Sequence, residues 1–225
     1  MASEKRQEGI TSVITRLLLA GGVVGPLLFV LLLLIEGATR PGYDALRQAG
    51  SELSLGSQGW MQVVNFIISG LLIFGFAVGI HWIIRQGRGA IWGPLLLATV
   101  GLALVAAGIF VTDPALGYPP GTPPGPAVHT TWHGALHWYF GGLIFFSCLP
   151  AASFVFARRW ATESKRMWAL YSIVTGVVMV AFFAAFAVAS ACGGPAGLFQ
   201  RISISVGMIW VSLFAGRLLY TKAQE

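Results

Sequence analysis

Apolar residues in this chain fall into six long, unbroken runs, at about residues 17–35, 61–84, 92–111, 133–156, 168–191 and 202–220. Each is close to or beyond the ~20 residues that a helix needs to cross a hydrocarbon layer of ~30 Å. Lipid offers backbone polar groups no partner, so only helices and closed barrels span it. The runs are continuous instead of alternating with period two, which selects helices. The pattern predicts an all-α polytopic membrane protein, six transmembrane helices in one bundle without a domain boundary. The first run has full span length, beyond the ~7–15 residues of a secretory signal, and no small-residue cleavage site follows it, so it reads as a retained helix.

The segments between the runs are unequal. Those after the second and fourth runs, "RQGRGA" and "ARRWATESKRM", are short and basic. The segment after the first run, "EGATRPGYDALRQAGSELSLGSQGW", is long for a plain connection. Pro41-Gly42 marks a turn, and "YDALRQAGSELS" predicts a short surface helix lying over the bundle. The segment after the third run, "TDPALGYPPGTPPGPAVHTT", is dominated by Pro and Gly and reads as a stiff strap. Gly75, Gly79, Gly101, Ala107 and Gly108 are small where helices must approach closely. Trp60, Trp92, Trp132, Trp138 and Trp168 lie near helix ends and read as interfacial anchors.

Composition agrees with this picture and charge orients it. Of 225 residues 56% are hydrophobic and 10% charged, with a mean hydropathy of +0.77, whereas a soluble domain carries about 25% charged residues. The net charge of +6 would suit nucleic acid, but its distribution does not. Lys5, Arg6, Arg16, Arg85, Arg88, Arg158, Arg159, Lys165, Arg166, Arg217 and Lys222 all fall on one side of the predicted bundle, and only Arg40, Arg47 and Arg201 fall on the other. The basic side is expected in the cytoplasm, which puts both termini there and the protein in the cell (inner or plasma) membrane. The partners implied are membrane lipids and no nucleic acid. Cys148 and Cys192 form no CxxC, which argues against disulfide exchange.

The remaining ionisable residues gather at the opposite, outward end. Asp44, Arg47 and Glu52 lie in the first outer segment, Asp113 ends the third run, His129, His133 and His137 open the fourth, and Arg201 opens the sixth. His81 alone lies near the inner side. Histidines four apart on a helix share a face and can meet one ion, as in HExxH. His133 and His137 form such a pair, with Asp113 as the third ligand for a divalent metal such as zinc. His129 lies about 12 Å along the axis from His137, too far for the same shell. "HGALH" lacks the glutamate of HExxH, so a base would come from Glu52 or Asp44. Against this stands structural closure: Asp-Pro starts turns, and Arg201 can pair with Asp113 or Glu52. His81 and His137 lie at different depths and cannot clamp one haem. No acid or base occupies a helix centre, which argues against ion-coupled transport.

"TRPGYDALRQAGSELSLGSQGWMQVVNF", "GIFVTDPALGYPPGTP", "HGALH", "FARRW" and "GLFQR" together resemble a bacterial and archaeal multi-pass membrane family catalogued as domain of unknown function 998. The likeness covers most of the chain and implies six helices in the cell membrane, with no established activity. The matching positions are Arg40, Tyr43, Asp44, Ser51, Leu53, Ser54, Gly59, Trp60, Gln62, Asn65, Asp113, Tyr118, His133, His137, Gln200 and Arg201; His129 lies outside the pattern. A looser similarity links the histidine pair, the aspartate and Ser51 or Ser54 to membrane hydrolases of the alkaline ceramidase and adiponectin-receptor kind. Those hold zinc with one more histidine and have one more helix. Three functions stay open at this point. One is metal-dependent hydrolysis of a lipid-like substrate. The second is non-catalytic binding of a headgroup or partner protein, with Arg40, Arg47 and Arg201 facing an anion. The third is passage of a small neutral solute.

Overall fold

The computed structural model describes the backbone of residues 2–224 and the side chains of residues 13–222 and of Gln224. Its elements are helix α1 (Ala2–Thr39), a 3-10 turn (Gly50–Ser54), α2 (Gly59–Ile83), α3 (Trp92–Ile109), α4 (Trp132–Thr162), α5 (Arg166–Cys192) and α6 (Ala196–Ala223). Six helices are long and apolar enough to cross a membrane, and the protein is a multi-pass membrane protein. No strand occurs among the described residues.

Three helices depart from the expected boundaries by more than a few residues, α1 by running from Ala2 to Thr39, past both ends of its apolar run. α4 runs on to Thr162 through Arg158 and Arg159, because long basic side chains reach the interface while their stems stay on the helix. α6 begins at Ala196, six residues before the apolar run, since Gln200 and Arg201 are buried inside its first turns. The surface helix expected in "YDALRQAGSELS" is only a turn followed by the 3-10 segment. Side chains take up carbonyls of this stretch: those of Ala45 and Gln48 accept from Arg201, and those of Gln48 and Ala49 accept from the Tyr43 hydroxyl.

Each helix packs on its neighbours in sequence, and α6 closes on α1, so the six form a ring. α2 and α3 cross where Gly70 meets Gly101: a Cβ at Gly70 would lie 2.6 Å from the Gly101 carbonyl oxygen. Gly75 and Gly79 serve α1 in the same way, facing Leu18. The ring is not hollow throughout. Phe76 of α2, Phe156 of α4 and Phe214 of α6 belong to helices that are not neighbours, yet their rings meet, 5.7 Å for Phe76–Phe214 and 4.5 Å for Phe156–Phe214. Trp160 and Trp210 join them, and all five side chains are buried. This aromatic plug fills the axis toward one end.

That end carries the basic residues. Arg159 donates to the carbonyls of Gln86 (3.0 Å) and Arg88 (3.1 Å), tying the two short basic segments together. Arg217 lies over the rings of Trp160 and Trp168. The side chains of Lys5 and Arg6, assigned to the same side, lie outside the described residues. The other end, capped by the long segments between α1 and α2 and between α3 and α4, holds the polar cluster.

A capped cavity as candidate functional site

Two buried arginines build the cap. Arg40 pairs with Glu36 one turn earlier on α1 and donates to the carbonyls of Leu53 (3.1 Å) and Gln58 (3.1 Å). Arg201 donates to the carbonyls of Ala45 (2.8 Å), Gln48 (3.0 Å) and Gly197 (3.1 Å) and to the Tyr43 hydroxyl. A guanidinium carries five donors in a fixed fork and suits the job of gathering loop carbonyls. Burial raises the Tyr43 hydroxyl pKa against the opposing effect of Arg201, so it stays protonated. Gln200 accepts from the Gly50 amide at 2.7 Å, and Gln48 donates to Leu116 at 2.9 Å, which fastens the Pro/Gly strap to the first segment. Tyr118 of the strap sits edge-on to Tyr43.

The three arginines expected to face an anion all donate to backbone carbonyls. Arg47, at the surface, donates to the Gly193 carbonyl at 3.1 Å, and neither Arg40 nor Arg201 lines the cavity below.

Each of the expected metal ligands has a protein partner of its own. Asp113 accepts from the Thr131 amide (2.9 Å) and hydroxyl (2.6 Å), and Thr131 in turn caps α4 by accepting from the Gly134 amide (3.1 Å). A carboxylate at a helix N-terminus meets unsatisfied amides and the positive end of the dipole. Gly134, the second residue of "HGALH", has no side chain because a Cβ there would overlap the Asp113 carboxylate. His137 is buried, and its Nδ1 sits 2.9 Å from the Ala107 carbonyl and 2.8 Å from that of Phe110. Those partners require the proton on Nδ1 and leave Nε2 an acceptor. His133 is exposed and stacks on Trp132, ring centroids 3.5 Å apart. His129 and His81 are exposed as well. Among the described residues no three His, Cys, Asp or Glu side chains are grouped to hold an ion. Of the two proposed bases, Asp44 is exposed and accepts from the Leu46 amide, while Glu52 lines the cavity.

That cavity is the main feature of the capped end. It measures about 690 Å³ and takes residues from all six helices. Its walls are aromatic and aliphatic: Phe29 and Leu33 of α1, Phe66 of α2, Phe145 and Phe146 of α4, and Phe183 and Phe186 of α5. The roof is formed by residues 49–52 and by parts of the strap. Polar groups are few. Gln62 and Glu52 are 0% and 4% exposed, and each keeps one atom without a partner, Nε2 of Gln62 and Oε2 of Glu52. Burial pushes the Glu52 carboxyl up to about 8, against smaller opposing effects of the Ala49 backbone hydrogen bond and Arg201. At neutral pH it is largely protonated and able to donate.

Sequence reasoning placed Gln62 in a matching pattern without a role and passed over Glu36. The signals were present. Gln62, Asn65 and Ser69 recur at helical spacing on an otherwise apolar run, and they form a ladder in which Asn65 donates to Gln62 (3.0 Å) and to the Phe29 carbonyl (3.2 Å). Glu36 precedes Arg40 by four, the favoured order for a helical ion pair.

No curated protein and no solved structure matches the chain. The chain matches a family described as protein of unknown function (DUF998), whose model covers residues 23–217, from the middle of α1 to near the end of α6. The capped six-helix bundle with its inward-facing polar ladder is thus the structure of a member of that family, to which this chain belongs.

Proposed function

We propose that this protein binds a lipid-like amphiphile in the capped cavity, without transforming it, on the side of the cell membrane away from the cytoplasm. The supporting observation is the cavity itself: its volume falls within the ~300–1,000 Å³ of small-molecule sites, its walls are apolar, and two buried side chains retain unused polar atoms. A buried polar group left without a partner costs about 1–3 kcal/mol, which a ligand supplying that partner recovers. Protonated Glu52 and the Gln62 amide suit an uncharged head bearing hydroxyl or carbonyl oxygens. No arginine is among the residues that line the cavity to meet an anionic head.

A monoacylglycerol tests this reading and the hydrolytic one together. Native mass spectrometry of the detergent-purified protein should show a saturable 1:1 adduct of intact lipid. Its affinity should fall about tenfold in Gln62→Leu, the loss of one hydrogen bond of about 1.4 kcal/mol. Unsaturable binding, or an unchanged affinity in the variant, would sink the assignment. Release of free fatty acid would replace binding with hydrolysis.

A further inference from the structure

The two walls of the cavity contributed by α4 and α5 are unlike the others. The lower part of α4, Phe145–Thr162, packs along α5, but the upper part, Trp132–Ile144, packs on α3 and scarcely meets α5. Two features of α4 account for the divergence. Residues Trp138–Ile144 form a π-helical segment, and Pro150 interrupts the hydrogen-bond ladder below it. Both are recognised causes of helix bending. His137 then holds the upper part against the end of α3.

The residues on the two sides of this gap line the cavity and keep much of their surface uncovered by the protein. Trp138 on α4 and Ala187 and Ala191 on α5 are exposed, and Gly141, Gly142 and Phe186 are half-buried. The facing stretch of α5, "AAFAVASA", is made mostly of small residues and leaves the gap open. Depth follows from helix rise. At about 1.5 Å per residue, Trp138 and Gly142 lie about 9 and 15 Å below the start of α4, and Ala187 and Phe183 about 8 and 14 Å below the end of α5. A hydrocarbon layer of ~30 Å puts this whole span within one leaflet.

We infer that the gap between the π-helical segment of α4 and the upper half of α5 is a lateral portal, through which an amphiphile already resident in the leaflet at the capped end slides its chain into the cavity. The inference rests on the binding reading above and specifies its ligand class: a bilayer-confined molecule with an acyl or alkyl chain, the chain lying among Phe145, Phe146, Phe183 and Phe186 and the uncharged head reaching Glu52 and Gln62. The roof then has no need to open, which agrees with how firmly Arg40, Arg201 and Gln48 fasten it.

The test uses the full chain in liposomes with two photoreactive probes, a bilayer-confined long-chain diazirine alcohol and a water-soluble short-chain one. Labelling of Phe29, Leu33 and Phe66 is followed over time by peptide mass spectrometry. Ala187→Trp places an indole in the portal at an exposed position, and Pro126→Trp enlarges a side chain in the roof. The long-chain probe should label the wild type saturably, about tenfold more slowly in Ala187→Trp, and at the wild-type rate in Pro126→Trp. The short-chain probe should keep its wild-type rate in Ala187→Trp. A long-chain rate governed by Pro126→Trp, or unaffected by Ala187→Trp, overturns the portal, as does equal slowing of both probes in Ala187→Trp. If neither probe labels the wild-type cavity saturably, the binding reading itself fails, a separate result.

Discussion

Glu52 shows how much one side chain can depend on its surroundings. In the chain it is an acid in a polar loop; in the fold it is 4% exposed, and burial carries its pKa to about 8. The native state therefore holds the proton more tightly than the unfolded chain does. The stabilisation from that difference is complete below the ordinary value of 4.5 and is lost as pH rises through about 8. Thermal unfolding in detergent should thus show wild type losing stability between those limits, by on the order of 1 kcal/mol per pH unit, while Glu52→Gln stays flatter. Parallel pH profiles for the two proteins would refute the assignment. Arg40 and Arg201 carry the opposite lesson. Read as cations facing the outside, they are structural hubs, because a buried guanidinium gains from each donor it pairs and the nearby loop carbonyls are the partners within reach.

At the scale of elements, α4 is the instructive case. Its start is set by Thr131, Asp113 and Gly134 acting together, and its upper half is clasped to α3 by His137. α3 ends at Ile109, so the carbonyl of Ala107 has no amide one turn later to bond, and the imidazole takes that role. A histidine pair four apart was legible in the sequence, but not that one ring points into the bundle and the other lies on the surface against Trp132. The consequence is an unequal pair of substitutions. His137→Ala should lower unfolding stability by about 1–3 kcal/mol, and His133→Ala should change it by no more than about 0.5 kcal/mol. Equal, large losses would restore a shared role such as a common ion. The π-helical segment of α4 had no signature beyond Gly141 and Gly142, since an extra residue in a helical turn is selected by the packing around it and not by local propensity.

For the molecule as a whole, the plug and the cavity divide the axis between them. Phe76, Phe156 and Phe214 meet across the ring and close its axis with apolar side chains. Liposomes containing the protein should therefore admit a small neutral solute such as glycerol no faster than protein-free liposomes, measured by light scattering after an osmotic step. Faster entry of glycerol would favour a carrier over a binding protein.

Six spans, their helical nature and the gathering of basic residues on alternate connections were determined by the sequence itself. They follow from hydrophobic run length, from the backbone's need for internal hydrogen bonds in lipid and from charge placement, all of them local or additive properties. Only the tertiary structure decided which polar residues would be consumed by the fold and which would keep a free atom beside a cavity. That outcome depends on the directions of side chains brought together from segments far apart in the chain. Arg201 finds its carbonyls across some 150 residues of sequence and Glu52 finds none for Oε2, and no run of neighbouring residues encodes that difference.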